Sequence, residues 1–174
     1  VLVSYPDAEL VLLGDALDFA AESEVDPCRA ARQALAGSPG LRRAIAERAS
    51  RGVSTVFCAG NHDHAVARPE VLAVIHETLG LDPGDRARVR SEPWFVRLAG
   101  GRVHAEHGHV FDPDGAPTHP LCGDRHDDVG VALLRRFIVP LSAHELVHVH
   151  GEAPFALLMR TIRMFGPRAP EVIT

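Results

Sequence analysis

Apolar residues along the chain gather into short continuous runs that glycine cuts off. Val1-Leu2-Val3 is one such run, Glu9-Leu10-Val11-Leu12-Leu13 a second halted by Gly14-Asp15, and Val53-Ser54-Thr55-Val56-Phe57-Cys58 a third halted by Gly60-Asn61. Runs of this length bounded by glycine predict strands buried on both faces, as in a parallel sheet. Between the second and third runs the period lengthens to that of a helix. One helix is expected from about Pro27 to Ala36, closing at Gly37. Another is expected with Ser38 as N-cap, Pro39 in its first turn, and Leu41, Ala44, Ile45 and Ala49 on one face. After the third run, Val71, Val74, Ile75, Thr78 and Leu79 recur at helical spacing until Gly80.

The period then shortens to two. Trp94, Val96 and Leu98 alternate with Phe95, Arg97 and Ala99; after Gly100-Gly101, Val103, Ala105 and His107 alternate with His104 and Glu106. Two alternating segments joined by Gly-Gly predict a β-hairpin that ends at His107. Residues 111–128 read as loop, and Val129–His150 and Phe155–Phe165 as helices interrupted by Pro140. The order of elements predicts one α/β domain over residues 1–174 with mixed β-sheets flanked by α-helices, residues 113–174 forming a loop and helical cap.

Composition narrows the classes. At 174 residues, 46% apolar and 24% charged, the chain matches one globular domain rather than a disordered or disulfide-built one. No apolar run approaches the ~20 residues of a membrane-spanning helix. The 18 basic residues, all Arg, against 23 acidic ones give a net charge of −5, so no nucleic-acid partner is expected. Cys28, Cys58 and Cys122 are widely spaced and read as reduced thiols, which with no signal segment in view gives a cytoplasmic expectation. The 11 histidines are the unusual count, and they cluster.

Ligands of open α/β sheets bind at the carboxyl ends of strands. Three such ends carry candidate metal ligands: Asp15 after Gly14, Asn61 after Gly60, and His107 in His107-Gly108-His109. A carboxylate able to bridge two cations, a carbonyl oxygen and an imidazole suit Mn, Fe or Zn better than Ca or Cu(I). Two such ions activate water and clamp phosphoryl oxygens in an in-line displacement. His62, beside a ligand, would protonate the departing oxygen, with Asp63 or another nearby carboxylate keeping it charged.

With these residues in place the chain resembles the calcineurin-like metallophosphoesterases. Gly14-Asp15-Ala16-Leu17-Asp18 matches that family's Gly-Asp-x-x-Asp, Gly60-Asn61-His62-Asp63 its Gly-Asn-His-Asp/Glu, and His107-Gly108 its His-Gly strand end; the likeness covers about residues 1–112. The resemblance implies a layered β-sandwich flanked by helices and a centre of two divalent metal ions. It assigns Asp15 as the bridge, Asn61 and His107 as ligands, and His62 as acid or transition-state stabiliser. Phe19 replaces the Arg that often follows the second Asp. That change, with His107-Gly108 and Asp112, looks more like the branch containing UDP-diacylglucosamine pyrophosphatases. A phosphorylated small-molecule or lipid-linked substrate follows, with peripheral membrane contact through Phe155–Phe165.

Two departures stand against the family pattern. Tyr5-Pro6 follows Val1–Ser4 where an Asp-x-His belongs, and no Gly-His-x-His precedes Thr174. The link from Ser4 to the next run is too short for a parallel crossover, which predicts that sequence is missing near Ser4 and after Thr174. The alternative is a non-catalytic scaffold that has lost part of its metal site. Plainer readings also exist. Asp15 and Asp18 would serve as helix caps, and Asn61–His64 as a polar turn. Trp94 and Cys58 read as core, and His104 as structural. His109 is left open, and His144 and His148 share a helix face that is read as solvated. His126-Asp127-Asp128 is set aside, because that motif belongs to helical bundles.

Overall fold

A computed structural model describes residues 5–19 and 26–112, with 116, 131, 132, 134, 135, 139 and 163 besides. The first predicted strand, the loop over 113–128 and both late helices therefore lie essentially outside the described residues.

Three strands, β1 (Leu10–Leu13), β2 (Thr55–Cys58) and β3 (Val89–Glu92), form a parallel sheet in the order β1-β2-β3. Two more, β4 (Phe95–Leu98) and β5 (Val103–Glu106), pair antiparallel as a separate sheet. The mixed α/β class is thus observed, but among the described residues the parallel and antiparallel strands occupy two sheets rather than mixing within one.

The crossover from β1 to β2 contains helices α1 (Pro27–Gly37) and α2 (Pro39–Ser50), and that from β2 to β3 contains α3 (Pro69–Leu79). Each helix has proline in its first turn, where its missing N–H costs no hydrogen bond. Asp26 caps α1 by accepting from the Cys28 N–H at 2.8 Å. Ser38 does occupy the N-cap of α2, but its side chain makes no capping bond. α3 ends at Gly80, whose left-handed φ of 69° turns the chain out of the helix.

Alternation along β2 sends its side chains to two cores. Phe57, with Leu12 and Val89, packs against Ala31, Leu35, Ile45 and Ile75 of the helices. Val56 and Cys58, with Val11, pack against Val96, Leu98 and Ala105 of the hairpin. The result is three layers: helices, parallel sheet, hairpin. β2 is buried throughout, as its run predicts. β1 is only half-buried, because among the described residues it has a strand neighbour on one side alone.

The pattern of apolar positions misses β3. Its Val89-Arg90-Ser91-Glu92 carries one apolar residue, and the pairing with β2 makes it a strand. Val89 faces the helices, while Arg90 reaches across to Glu9 at 3.3 Å and also contacts Glu92. His76 Nε2 donates to the Val89 carbonyl at 2.8 Å and ties the end of α3 to the start of this strand. Buried Arg48 of α2 donates to the carbonyls of Pro6 and Ala8, which anchors the segment entering β1. Trp94, expected in the core, is half-buried ahead of β4. No described helix is long and apolar enough to cross a membrane.

Truncating the side chain at the centre of the helix-facing core tests this layering. Phe57→Ala is expected to lower unfolding free energy by about 3–5 kcal/mol in urea titrations, against less than about 1 kcal/mol for the exposed Phe95→Ala.

Candidate metal centre

Sheet register brings the motif loops together. Leu13 is level with Cys58, and Cys58 with Glu92. Hydrogen bonds from Gly14 N–H to the Cys58 carbonyl and from Ala59 N–H to the Glu92 carbonyl, both 2.9 Å, carry the pairing one step further. Asp15 and Gly60 therefore leave the sheet side by side. Their contact is so close that a Cβ on Gly60 would overlap the Asp15 carboxylate. Gly14 meets the second sheet in the same way: a Cβ there would overlap the His107 ring, and its φ of 81° already favours glycine. The glycines of the two motifs are thus contact surfaces.

Asp15 and Asp18 hold φ values of 53° and 38°, a left-handed conformation that non-glycine residues rarely adopt. What holds the turn is Asp63. Its side chain, 1% exposed, accepts four backbone N–H groups. Oδ1 takes Gly60 at 2.8 Å and Asp15 at 3.1 Å; Oδ2 takes Ala16 at 2.9 Å and Leu17 at 3.3 Å. Burial pushes its carboxyl above the usual range, as does the nearby Asp15 charge, while the amides pull the other way. All four partners donate, so the group they suit is a carboxylate.

Asp63 or another nearby carboxylate was expected to hold His62, and the Asp63 carboxylate is committed to these amides. Asp18 stands in that role: its Oδ1 lies 2.7 Å from His62 Nδ1. The sequence showed Asp18 inside the Gly-Asp-x-x-Asp motif, but spacing alone could not distinguish a helix cap from a histidine partner.

Asp15 is the hub. Its Oδ1 accepts the His62 backbone N–H at 3.0 Å, and its Oδ2 lies 3.0 Å from His107 Nε2. His107 Nδ1 sits 3.0 Å from the Leu13 carbonyl, which can only accept, so the Nδ1 proton is fixed there. In a neutral ring, the Nε2 lone pair would then face a carboxylate lone pair. A second proton or a cation between them removes that repulsion. The 3.0 Å spacing is that of a direct ion-paired hydrogen bond, and two ligands about 2.1 Å from one ion at right angles would also stand about 3.0 Å apart. A carbonyl holding the other ring nitrogen is the usual support of a metal-binding imidazole.

Asn61 lies half-buried in the turn between Gly60 and His62. Among the described residues no group of three or more His, Cys, Asp and Glu is arranged to hold a metal ion. The His109 ring stacks obliquely on His107 with centroids 5.4 Å apart. His104 is exposed on the outer face of the hairpin, stacked on Phe95 at 4.7 Å and remote from this cluster in role. Cys58 lies under the turn, its thiol donating to the Trp94 carbonyl at 3.3 Å. Burial, then the neighbouring carboxylates, push it up to about 11.

Compared with protein-family models, curated proteins and solved structures, the chain finds no match.

Two measurements probe the geometry. Gly60→Ala is expected to cost about 1–3 kcal/mol in urea unfolding because the new methyl meets Asp15, whereas Gly40→Ala, in open space on α2, is expected to be neutral or slightly stabilising. Cys58 is expected to resist a disulfide reagent at pH 8 in the native protein and to react at once in urea, as a thiol with so small a thiolate fraction should.

Proposed function

We propose that the chain is a metal-dependent phosphoesterase of the calcineurin-like kind, hydrolysing a phosphate ester or pyrophosphate bond. The observation that carries this reading is the pairing of Asp15 Oδ2 with His107 Nε2 at 3.0 Å, beside a histidine held by its own carboxylate. Asp15, Asn61 and His107 would hold the divalent ions, Mn, Fe or Zn, expected as a pair. When bound, such ions acidify water and draw charge from phosphoryl oxygens.

The chain's own groups supply the rest. Asp18 holds Nδ1 of His62 and favours the imidazolium, which makes Nε2 the nitrogen that would hand a proton to the departing oxygen. The same positive ring would offset charge developing on the phosphoryl group. The His62 backbone N–H meanwhile fixes Asp15, so the ligand's loop and the acid's loop are tied by a direct hydrogen bond. The substrate class proposed is a phosphorylated small molecule or lipid-linked phosphate, with peripheral membrane contact and no nucleic acid.

A second reading, a scaffold without turnover, draws support from the finding that among the described residues no three His, Cys, Asp or Glu side chains are arranged to hold a metal ion. Turnover of a nitrophenyl phosphodiester, with bound metal measured, separates the two. Asp15→Asn, which tolerates the left-handed backbone, is expected to lose at least about 100-fold in kcat/KM. His62→Asn is expected to lose about 10²–10⁴-fold in kcat with metal retained. Unchanged turnover in Asp15→Asn overturns the catalytic reading, and a metal-free, inactive wild-type chain establishes the scaffold.

A further inference from the structure

The four amides around Asp63 have a property that a mere buried tether would not need. Three belong to consecutive residues, Asp15, Ala16 and Leu17, and the fourth, Gly60, comes from the other loop. Consecutive N–H groups turned to one side form a nest, the concavity in which backbone binds anions. This nest is divided for a planar two-oxygen anion: one oxygen takes Gly60 and Asp15, the other Ala16 and Leu17. A spherical ion would not span both pairs of donors.

We propose that Asp63 is a positioning residue acting as a built-in anion: the nest requires a carboxylate-shaped oxyanion, from any source, to hold Asp15 in the geometry that faces His107. The claim rests on the reading of Asp15 as a metal ligand. Its physical basis is that the left-handed turn at Asp15, φ 53°, points its amide to Asp63. The side chain of the same residue meets the His62 N–H and His107 Nε2. Filling the nest therefore orients backbone and ligand together. Removing the side chain while keeping the cradle leaves a site for a small carboxylate such as formate.

Asp63→Ala opens that space, whereas Asp63→Asn fills it with a group whose NH2 opposes two of the donors. Each variant and the wild type would be compared in sodium chloride and in sodium formate at equal ionic strength. The readouts are thermal midpoint, Mn2+ affinity by calorimetry well below that midpoint, and the amide proton shifts of Asp15, Ala16 and Leu17. Asp63→Ala is expected to lose about tenfold or more in Mn2+ affinity in chloride, as supporting groups of metal ligands do. Formate is expected to restore most of it, raise the midpoint and move those three amide signals, with little effect on Asp63→Asn or wild type. If Asp63→Ala does not fold in chloride, its recovery on refolding in formate is the expected result. Wild-type Mn2+ affinity in Asp63→Ala, or formate acting on no variant or on all three alike, overturns the proposal. A wild-type chain that binds no Mn2+ would instead remove the proposed function, while the midpoints and amide shifts still decide the nest.

Discussion

Asp63 joins two loops that lie 48 residues apart in the chain, from Asp15 to Asp63, by giving both their amides the same carboxylate. Backbone donors buried away from water must find acceptors, and a turn with three consecutive donors on one side has few ways to satisfy them. A buried carboxylate with two donors on each oxygen is one. The solution is reciprocal, since the amides compensate the lost hydration of the charge and the charge compensates the amides. Left-handed backbone at Asp15 persists because it is held from both loops at once.

The sheet determines what that junction can hold. Parallel register places Asp15 and Gly60 at the same height, and the hairpin packed on the opposite side of β2 brings His107 against Gly14. The parallel sheet and the hairpin thus meet at one point, the carboxyl end of β1 and β2. Helix-facing residues such as Phe57 fix the sheet from one side, and Val96 and Ala105 fix the hairpin from the other. Displacement of either layer by an ångström would separate Asp15 from His107, whose atoms stand at hydrogen-bonding distance.

Electrostatics at that point follow from the partners each ring nitrogen has. His107 carries its proton toward a carbonyl and turns Nε2 on a carboxylate, an arrangement suited to a second proton or to a cation. His62 turns Nδ1 on a carboxylate, an arrangement suited to a proton. Each ring thus meets its own carboxylate, His107 that of Asp15 and His62 that of Asp18.

Much of this was legible in residue order, because the signals are local. Glycine after an apolar run ends a strand, proline opens a helix, and Gly-Gly between alternating segments makes a hairpin; α1, α2, α3, β2, β4 and β5 follow from those rules. Asp15, Asn61, His62 and His107 were candidates from their positions at strand ends. The fold alone decided the rest. Val89–Glu92 is a strand through pairing to β2, not through its own composition, and Ser38 makes no side-chain capping bond where a serine often does. Above all, the choice of Asp18 over Asp63 as the partner of the His62 ring was invisible in the chain. Asp63 is next to His62 in the chain and Asp18 is 44 residues from it, yet the register of β1 against β2 brings Asp18 to the ring and buries Asp63 among amides.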